Sequence, residues 1–183
     1  MADLVAVARA RLIDEAISSV LTEVEGISEL KREQRDALQA FVGGEDVLAL
    51  LPTGFGKSLI YQLVPRVCKK LALGSSMFHG VEKPIVIVVS PLVALMEDQV
   101  KEAPKFGVSA AQLGRNDEEI LSGNVELVFG GPESWLLNDK WRSMLASPRY
   151  RQNIVGIVVD EVHVTYKWKS PESSKHGGLG FAN

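Results

Sequence analysis

The chain has 183 residues, 46% of them hydrophobic and 23% charged, with a mean hydropathy of +0.08. That is material for one packed domain, and it excludes a disordered protein. Twenty Lys and Arg against 23 Asp and Glu give a net charge of -3, which excludes binding to nucleic acid by bulk positive charge but not a local basic groove.

The longest uncharged apolar stretch, Pro84 to Met96, is too short to span a bilayer and contains Ser90 and Pro91. The single cysteine, Cys68, has no partner for an internal disulfide, and the three histidines show no ligand spacing with it. A reducing intracellular compartment fits.

In chain order, the first 25 residues predict one amphipathic helix. Leu4, Ala8, Leu12, Ala16, Val20 and Val24 form an i, i+4 row, flanked by Val5, Ile13, Ile17 and Leu21. Asp3, Asp14 and Glu15 argue against a transit peptide, so the helix is expected either to pack on the domain or to bind a partner. No signal peptide is visible. From Leu30 onward short apolar runs alternate with helical patterns. Val47–Leu51, Ile85–Val89, Val125–Phe129 and Ile154–Val159 are continuous, β-branched runs of the kind buried on both faces of a sheet. Between them, helices are expected over Glu29–Val42, closed by Gly43-Gly44, and over Lys57–Leu63, bent or broken before Pro65. Two more are expected over Leu92–Ala103, capped by Ser90-Pro91, and over Glu133–Leu145, opened by Pro132 and closed before Pro148. Strands alternating with helices predict an α/β fold with a mainly parallel sheet. Lys169–Asn183, with three Ser and three Gly, reads as a flexible tail. The expected divisions are 1–27 (helix), 28–168 (domain) and 169–183 (tail).

Leu51-Pro52-Thr53-Gly54-Phe55-Gly56-Lys57-Ser58 stands between the first expected strand and a helix, the order of a phosphate-binding loop. Gly54 and Gly56 permit backbone torsions that aim N–H groups at an anion. Lys57 would reach the β- and γ-phosphates and Ser58 would offer a hydroxyl to Mg²⁺. The strict pattern has Gly where Leu51 stands, and the plain alternative is a glycine turn with an exposed lysine. A second signal is the run Ile154–Val159 ending in Asp160-Glu161-Val162-His163. Adjacent carboxylates at the carboxyl end of a strand suit a Mg-nucleotide: Asp160 for the metal shell, Glu161 to accept a proton from water or orient it. Alone, such a pair is equally common on a solvated loop; the two motifs together point to an ATP site.

Four ordered motifs carry a resemblance. Leu30–Gln34, Pro52–Gln62, Ser90–Gln99 and Asp160–His163 resemble the first RecA-like lobe of RecQ-type DNA helicases, superfamily 2, DExH class, over roughly residues 28–168. The resemblance implies a three-layer P-loop NTPase fold, with Thr53, Gly54, Phe55, Gly56, Lys57 and Ser58 holding ATP, Ser58 and Asp160 holding Mg²⁺, and Lys57, Asp160 and Glu161 as the catalytic set. It also tolerates a non-glycine residue at Leu51. Gln34 would bind the adenine edge, with Lys31 covering the base. Ser90, Pro91 and Gln99 would contact single-stranded or forked DNA, Trp168 would stack on a base, and His163 would couple the two sites. Gly131 stands where the family often has Ser or Thr. Trp135 and Trp141 are expected to pack in a helix instead.

Only 20 residues follow His163, so the second RecA-like lobe and its arginine finger are not in this sequence. Three readings stay open. The first is the ATP-binding lobe of a 3′–5′ helicase, as fragment or short form, which would need a second lobe or another protein; its DNA role would place it in the nucleus of a eukaryote or the cytoplasm otherwise. The second is a non-catalytic module that binds a nucleotide or a partner. The third, a RecA-like strand-exchange ATPase, is disfavoured by Gln34 and the Asp-Glu-Val-His box.

Overall fold

A computed structural model of the chain describes residues 2–161. Its framework is a four-stranded, all-parallel sheet in the order β2-β3-β1-β4, built from β1 (Ile85–Val89), β2 (Ala110–Gln112), β3 (Leu127–Gly130) and β4 (Ile154–Val159). Val88 pairs with Phe129 on one side and Val158 on the other, so β1 is the centre of the sheet.

Alternation along the strands decides what each face buries. Val86, Val88, Leu127 and Phe129 point to one side, where α1 (Ala2–Leu21), α2 (Arg32–Val42), α3 (Lys57–Gly74) and Met96 of α4 (Val93–Glu102) cover them. Ile85, Ile87, Ala111 and Val128 point to the other. There they meet Ile120 of α5 (Asp117–Leu121), Trp135 of α6 (Pro132–Leu137), Trp141 and Met144 of α7 (Asp139–Ala146) and Tyr150 of α8 (Pro148–Asn153). Helices on both faces of a parallel sheet make the expected three-layer α/β architecture. Trp135 and Trp141 are core residues, as the sequence suggests.

Several local expectations are corrected. Val47–Leu51 forms no strand: it runs as irregular chain, with Leu48 and Leu50 exposed, and among the described residues nothing pairs with the outer edge of β4. A short apolar run without alternation records burial tendency and leaves the hydrogen-bonding partner open. The strand expected at Val125 starts at Leu127, and Glu126, buried just before it, pairs with Lys69 and accepts from the N–H of Ser109 at 2.8 Å. No break occurs before Pro65. The helix continues to Gly74, because Leu63, Val64, Val67, Cys68 and Leu71 bury a continuous apolar stripe that offsets one lost backbone bond. Conversely, the helix expected over Glu133–Leu145 divides at Asn138, whose side chain caps α7 by accepting from Lys140 N–H at 3.0 Å. Helix α4 begins at Val93, so Ser90 does not cap it. The N-terminal helix ends at Leu21, four residues early. Strand β2 and helix α5 have no counterpart in the sequence reading. Among the described residues no helix is long and apolar enough to cross a membrane.

Helix α1 anchors by its second half only. Ile13, Ala16, Ile17, Val20 and Leu21 are buried, whereas Leu4, Val5 and Val7 are exposed. Asp14 on α1 accepts from Arg35 Nε of α2 at 2.6 Å, and Glu23, just past α1, binds both Arg66 and Lys70 of α3, which holds the three helices together.

Two tests follow from this packing. A Cβ at Gly156 of β4 would overlap the ring of Phe41, so Gly156→Ala is expected to destabilise the chain by about 1–3 kcal/mol, read as a lower urea midpoint. An unchanged midpoint would show that Phe41 yields without cost. Burial raises the Cys68 thiol and the Tyr61 hydroxyl above their ordinary range, and pushes Tyr150 up to about 12. Each group therefore keeps its proton longer in the folded chain than in the unfolded one. The stability that this represents is complete below the ordinary values of 9.0 and 10.0 and is lost as pH rises beyond them. Unfolding free energy is expected to fall above pH ~9, by up to about 1.4 kcal/mol per pH unit for each group. Urea midpoints at pH 8 and pH 10.5 that agree would contradict this.

Candidate functional site

Parallel strands deliver all their carboxyl ends to one edge of the sheet, and the candidate residues collect there. β1 is followed by Ser90, β3 by Gly131 and β4 by Asp160-Glu161. The Ser90 N–H donates to Gly130 O at 3.0 Å and the Asp160 N–H to Val89 O at 2.9 Å, so the three termini are fastened to each other. The loop Pro52–Gly56 enters the N-terminus of α3 at the same edge.

Gly54 and Gly56 have φ of +77° and +88°, a left-handed conformation that glycine adopts without a Cβ penalty. Helix α3 then starts at Lys57, with its first N–H groups at the loop. The Lys57 ammonium donates to Leu51 O at 3.1 Å and Pro52 O at 3.3 Å, so the loop's own carbonyls hold it. Behind the loop lies Gln34, 4% exposed. Its Oε1 accepts from Lys31 N–H at 2.9 Å, and its Nε2 donates to Phe55 O and Gly56 O, each at 3.0 Å. Lys31 Nζ sits 4.0 Å from the centroid of the Phe55 ring and donates to Phe55 O at 3.3 Å. In this arrangement the Nε2 end of Gln34 braces the loop, while its Oε1 end is anchored on the Lys31 backbone at the start of α2.

A cavity of about 500 Å³ joins the two motifs. Thr53, Lys57, Tyr61, Asp160 and Glu161 line it, together with the apolar Val47, Leu50 and Ile157. Asp160 Oδ1 accepts from Glu161 N–H at 2.9 Å and Oδ2 accepts from the Tyr61 hydroxyl at 3.2 Å. Glu161 is a non-glycine residue at φ +53°, a strained backbone position often found where a side chain must be aimed. The donor set suits a magnesium nucleotide: an ammonium and hydroxyls beside two left-handed glycines at a helix N-terminus, faced by two carboxylates.

The nucleotide residues named from sequence thus come together: Thr53, Lys57, Asp160 and Glu161 face one cavity, with Gly54, Phe55, Gly56 and Ser58 in the loop and first turn beside it. The residues expected on nucleic acid are placed less uniformly. Pro91 is half-buried beside exposed Leu92 and Val93. Ser90 is 1% exposed with a hydroxyl that has no partner among the described residues. Gln99 is buried, and its Oε1 accepts from Gln62 Nε2 at 2.5 Å and lies 3.4 Å from the Tyr61 hydroxyl, so it serves as an internal tie and not as a surface contact. His163 and Trp168 lie outside the described residues. Tyr61 and Gln62 were given no role from sequence. The available signal was spacing, since Tyr61 follows Lys57 by four residues and shares its helix face.

Comparison with known proteins agrees with this geometry. The DEAD/DEAH box helicase family profile matches residues 31–177. The chain is 30% identical over 173 residues to the ATP-dependent DNA helicase RecQ of Haemophilus influenzae, covering 88% of this chain and 25% of that protein. It is 33% identical to the ATP-dependent DNA helicase Q-like 5 of Arabidopsis thaliana, over 85% of this chain and 16% of that one. With the ATP-dependent DNA helicase Q1 of Rattus norvegicus it shares 27% identity, over 90% of this chain and 26% of that one. The chain therefore spans about a quarter or less of these relatives' length. With the family profile across most of its length and its motifs gathered at one sheet edge, this chain belongs to the DEAD/DEAH box helicase family, as a RecQ-like N-terminal lobe.

Proposed function

We propose that the chain binds Mg-ATP between the Thr53–Ser58 loop and Asp160-Glu161, as the ATP-binding lobe (residues 28–168) of a RecQ-like 3′–5′ DNA helicase. The observation that carries this reading is the single cavity that Lys57, Asp160 and Glu161 all line. Hydrolysis and unwinding belong to the complete two-lobe enzyme, inside the cell, on single-stranded or forked DNA.

Lys57 leaves the carbonyls of Leu51 and Pro52 and turns its charge to the nucleotide's terminal phosphates, while the N–H groups at the start of α3 receive their oxygens. The hydroxyl of Ser58 and the carboxylate of Asp160 would hold the metal, which when bound would offset negative charge on the phosphoryl oxygens. Glu161 takes the proton of the attacking water. Gln34, set at the back of the loop, reads the adenine edge by exchanging its contacts to Phe55 O and Gly56 O for the base. The turn at Pro91 that leads into α4 meets the nucleic-acid backbone, with Ser90 beneath it; Gln99 anchors that helix from within the core. His163 and Trp168 carry the coupling and stacking roles that the family pattern gives them.

A second reading, a module that binds a nucleotide or partner without turnover, is favoured by the exposed Leu4, Val5 and Val7 on α1. Clear DNA-stimulated ATP turnover by the chain alone would exclude the second reading, unless self-association supplies the missing finger.

The Mg-ATP site itself is tested by calorimetry. Lys57→Ala is expected to weaken Mg-ATP by roughly 10- to 150-fold, the range for a lost hydrogen bond to a charged group. Equal affinity in wild type and variant would overturn the assignment of the loop.

A further inference from the structure

Beneath the cavity, four side chains from three elements join in one buried polar chain. Tyr61 and Gln62 come from α3, Gln99 from α4 and Asp160 from the end of β4. The Tyr61 hydroxyl lies 3.2 Å from Asp160 Oδ2 and 3.4 Å from Gln99 Oε1, and Gln62 Nε2 donates to Gln99 Oε1 at 2.5 Å. Gln62 is 1% exposed and Tyr61 5%. Amides at such depth in an apolar core carry a desolvation cost that only a bonded partner removes, so their presence calls for an explanation beyond packing.

The proton count is informative. A phenol has one proton to donate, and two acceptors face it. The carboxylate is the stronger acceptor, so the proton goes to Asp160. Gln99 Oε1 accepts from Gln62 Nε2, next to Tyr61 on α3, so α3 and α4 are tied directly beside the hydroxyl that holds the carboxylate. Asp160 Oδ1 is occupied by the Glu161 N–H at the same time. The carboxylate is therefore held at both oxygens, one by its own backbone turn and one by Tyr61. Packing fixes the ring as well, since Tyr61 meets Phe129 edge-on at 6.3 Å between centroids.

We propose that Tyr61 is the positioning residue for the Asp160 carboxylate, and that Gln99 ties this position to helix α4. The proposal rests on the magnesium-nucleotide reading given above and adds to it the residues that set the metal-binding carboxylate's orientation. A carboxylate held in one rotamer engages a cation's water shell without first losing its own freedom, so the gain from magnesium depends on the tie.

The experiment measures the affinity of the chain for a fluorescent ATP analogue with magnesium and, separately, with EDTA. Wild type is expected to bind more tightly with magnesium. In Tyr61→Phe, which keeps the ring and its contact with Phe129, affinity is expected to fall more with magnesium than in EDTA, so that the gain from magnesium is about tenfold smaller. Gln99→Leu is expected to lose part of the same gain, with near-ultraviolet circular dichroism unchanged in both variants. If Tyr61→Phe retains the full gain, or loses affinity equally with and without magnesium, the positioning role is overturned and the nucleotide site stands. If Gln99→Leu retains the full gain, the tie to α4 is overturned. If wild type gains nothing from magnesium, the metal reading itself fails and this proposal with it.

Discussion

The parallel ladder of β1 with β3 and β4 is the constraint on which the site depends. Strands running the same way end at the same edge, and their hydrogen bonds fix where each chain leaves the sheet. Once Val88 is paired with both Phe129 and Val158, Ser90, Gly131 and Asp160 must emerge side by side. Helices on both faces exclude water from the ladder and leave only that edge for polar chemistry. The carboxylates of Asp160 and Glu161 are thus delivered by a strand that is otherwise apolar.

The loop before α3 completes the edge, and it is held by groups that the sheet does not supply. Gln34 reaches it from α2, and Lys57 folds onto its carbonyls. Position α2 wrongly and the loop loses its brace. The α1–α2–α3 layer also lines the cavity directly, through Ala37, Phe41 and Ile60, and Arg35 on Asp14, with Arg66 and Lys70 on Glu23, sets the helices' spacing. Each such pair contributes little, so apolar burial of Ile17, Leu38 and Leu63 supplies most of the hold and the charges choose the alignment.

Much of this was legible in the sequence because the relevant signals are local. A β-branched run such as Ile85–Val89 states that it is buried, and Thr53–Ser58 states its chemistry through residue type and spacing alone. What was not legible depends on partners distant in the chain. Val47–Leu51 has the composition of a strand, yet a strand exists only when another strand's edge accepts it. Pro65 reads as a break, but the burial of its neighbours decides otherwise. Asn138 divides a helix through a single side-chain cap that resembles any other polar residue until its N–H partner is seen. Gln99 illustrates the same limit within the site. Its motif suggests a surface contact, and only the fold shows its amide turned inward to Gln62 and Tyr61.

The central claim is that two segments a hundred residues apart in sequence, the loop at Gly54–Ser58 and the strand end at Asp160-Glu161, serve one ligand. Hydrogen–deuterium exchange with added Mg-ATP tests this directly, because it reads both segments in one titration. The account predicts that amides of Gly54–Leu59 and of Asp160–Glu161 slow together, with protection saturating at the same nucleotide concentration. Protection confined to one of the two segments, or saturating at different concentrations in each, would contradict it.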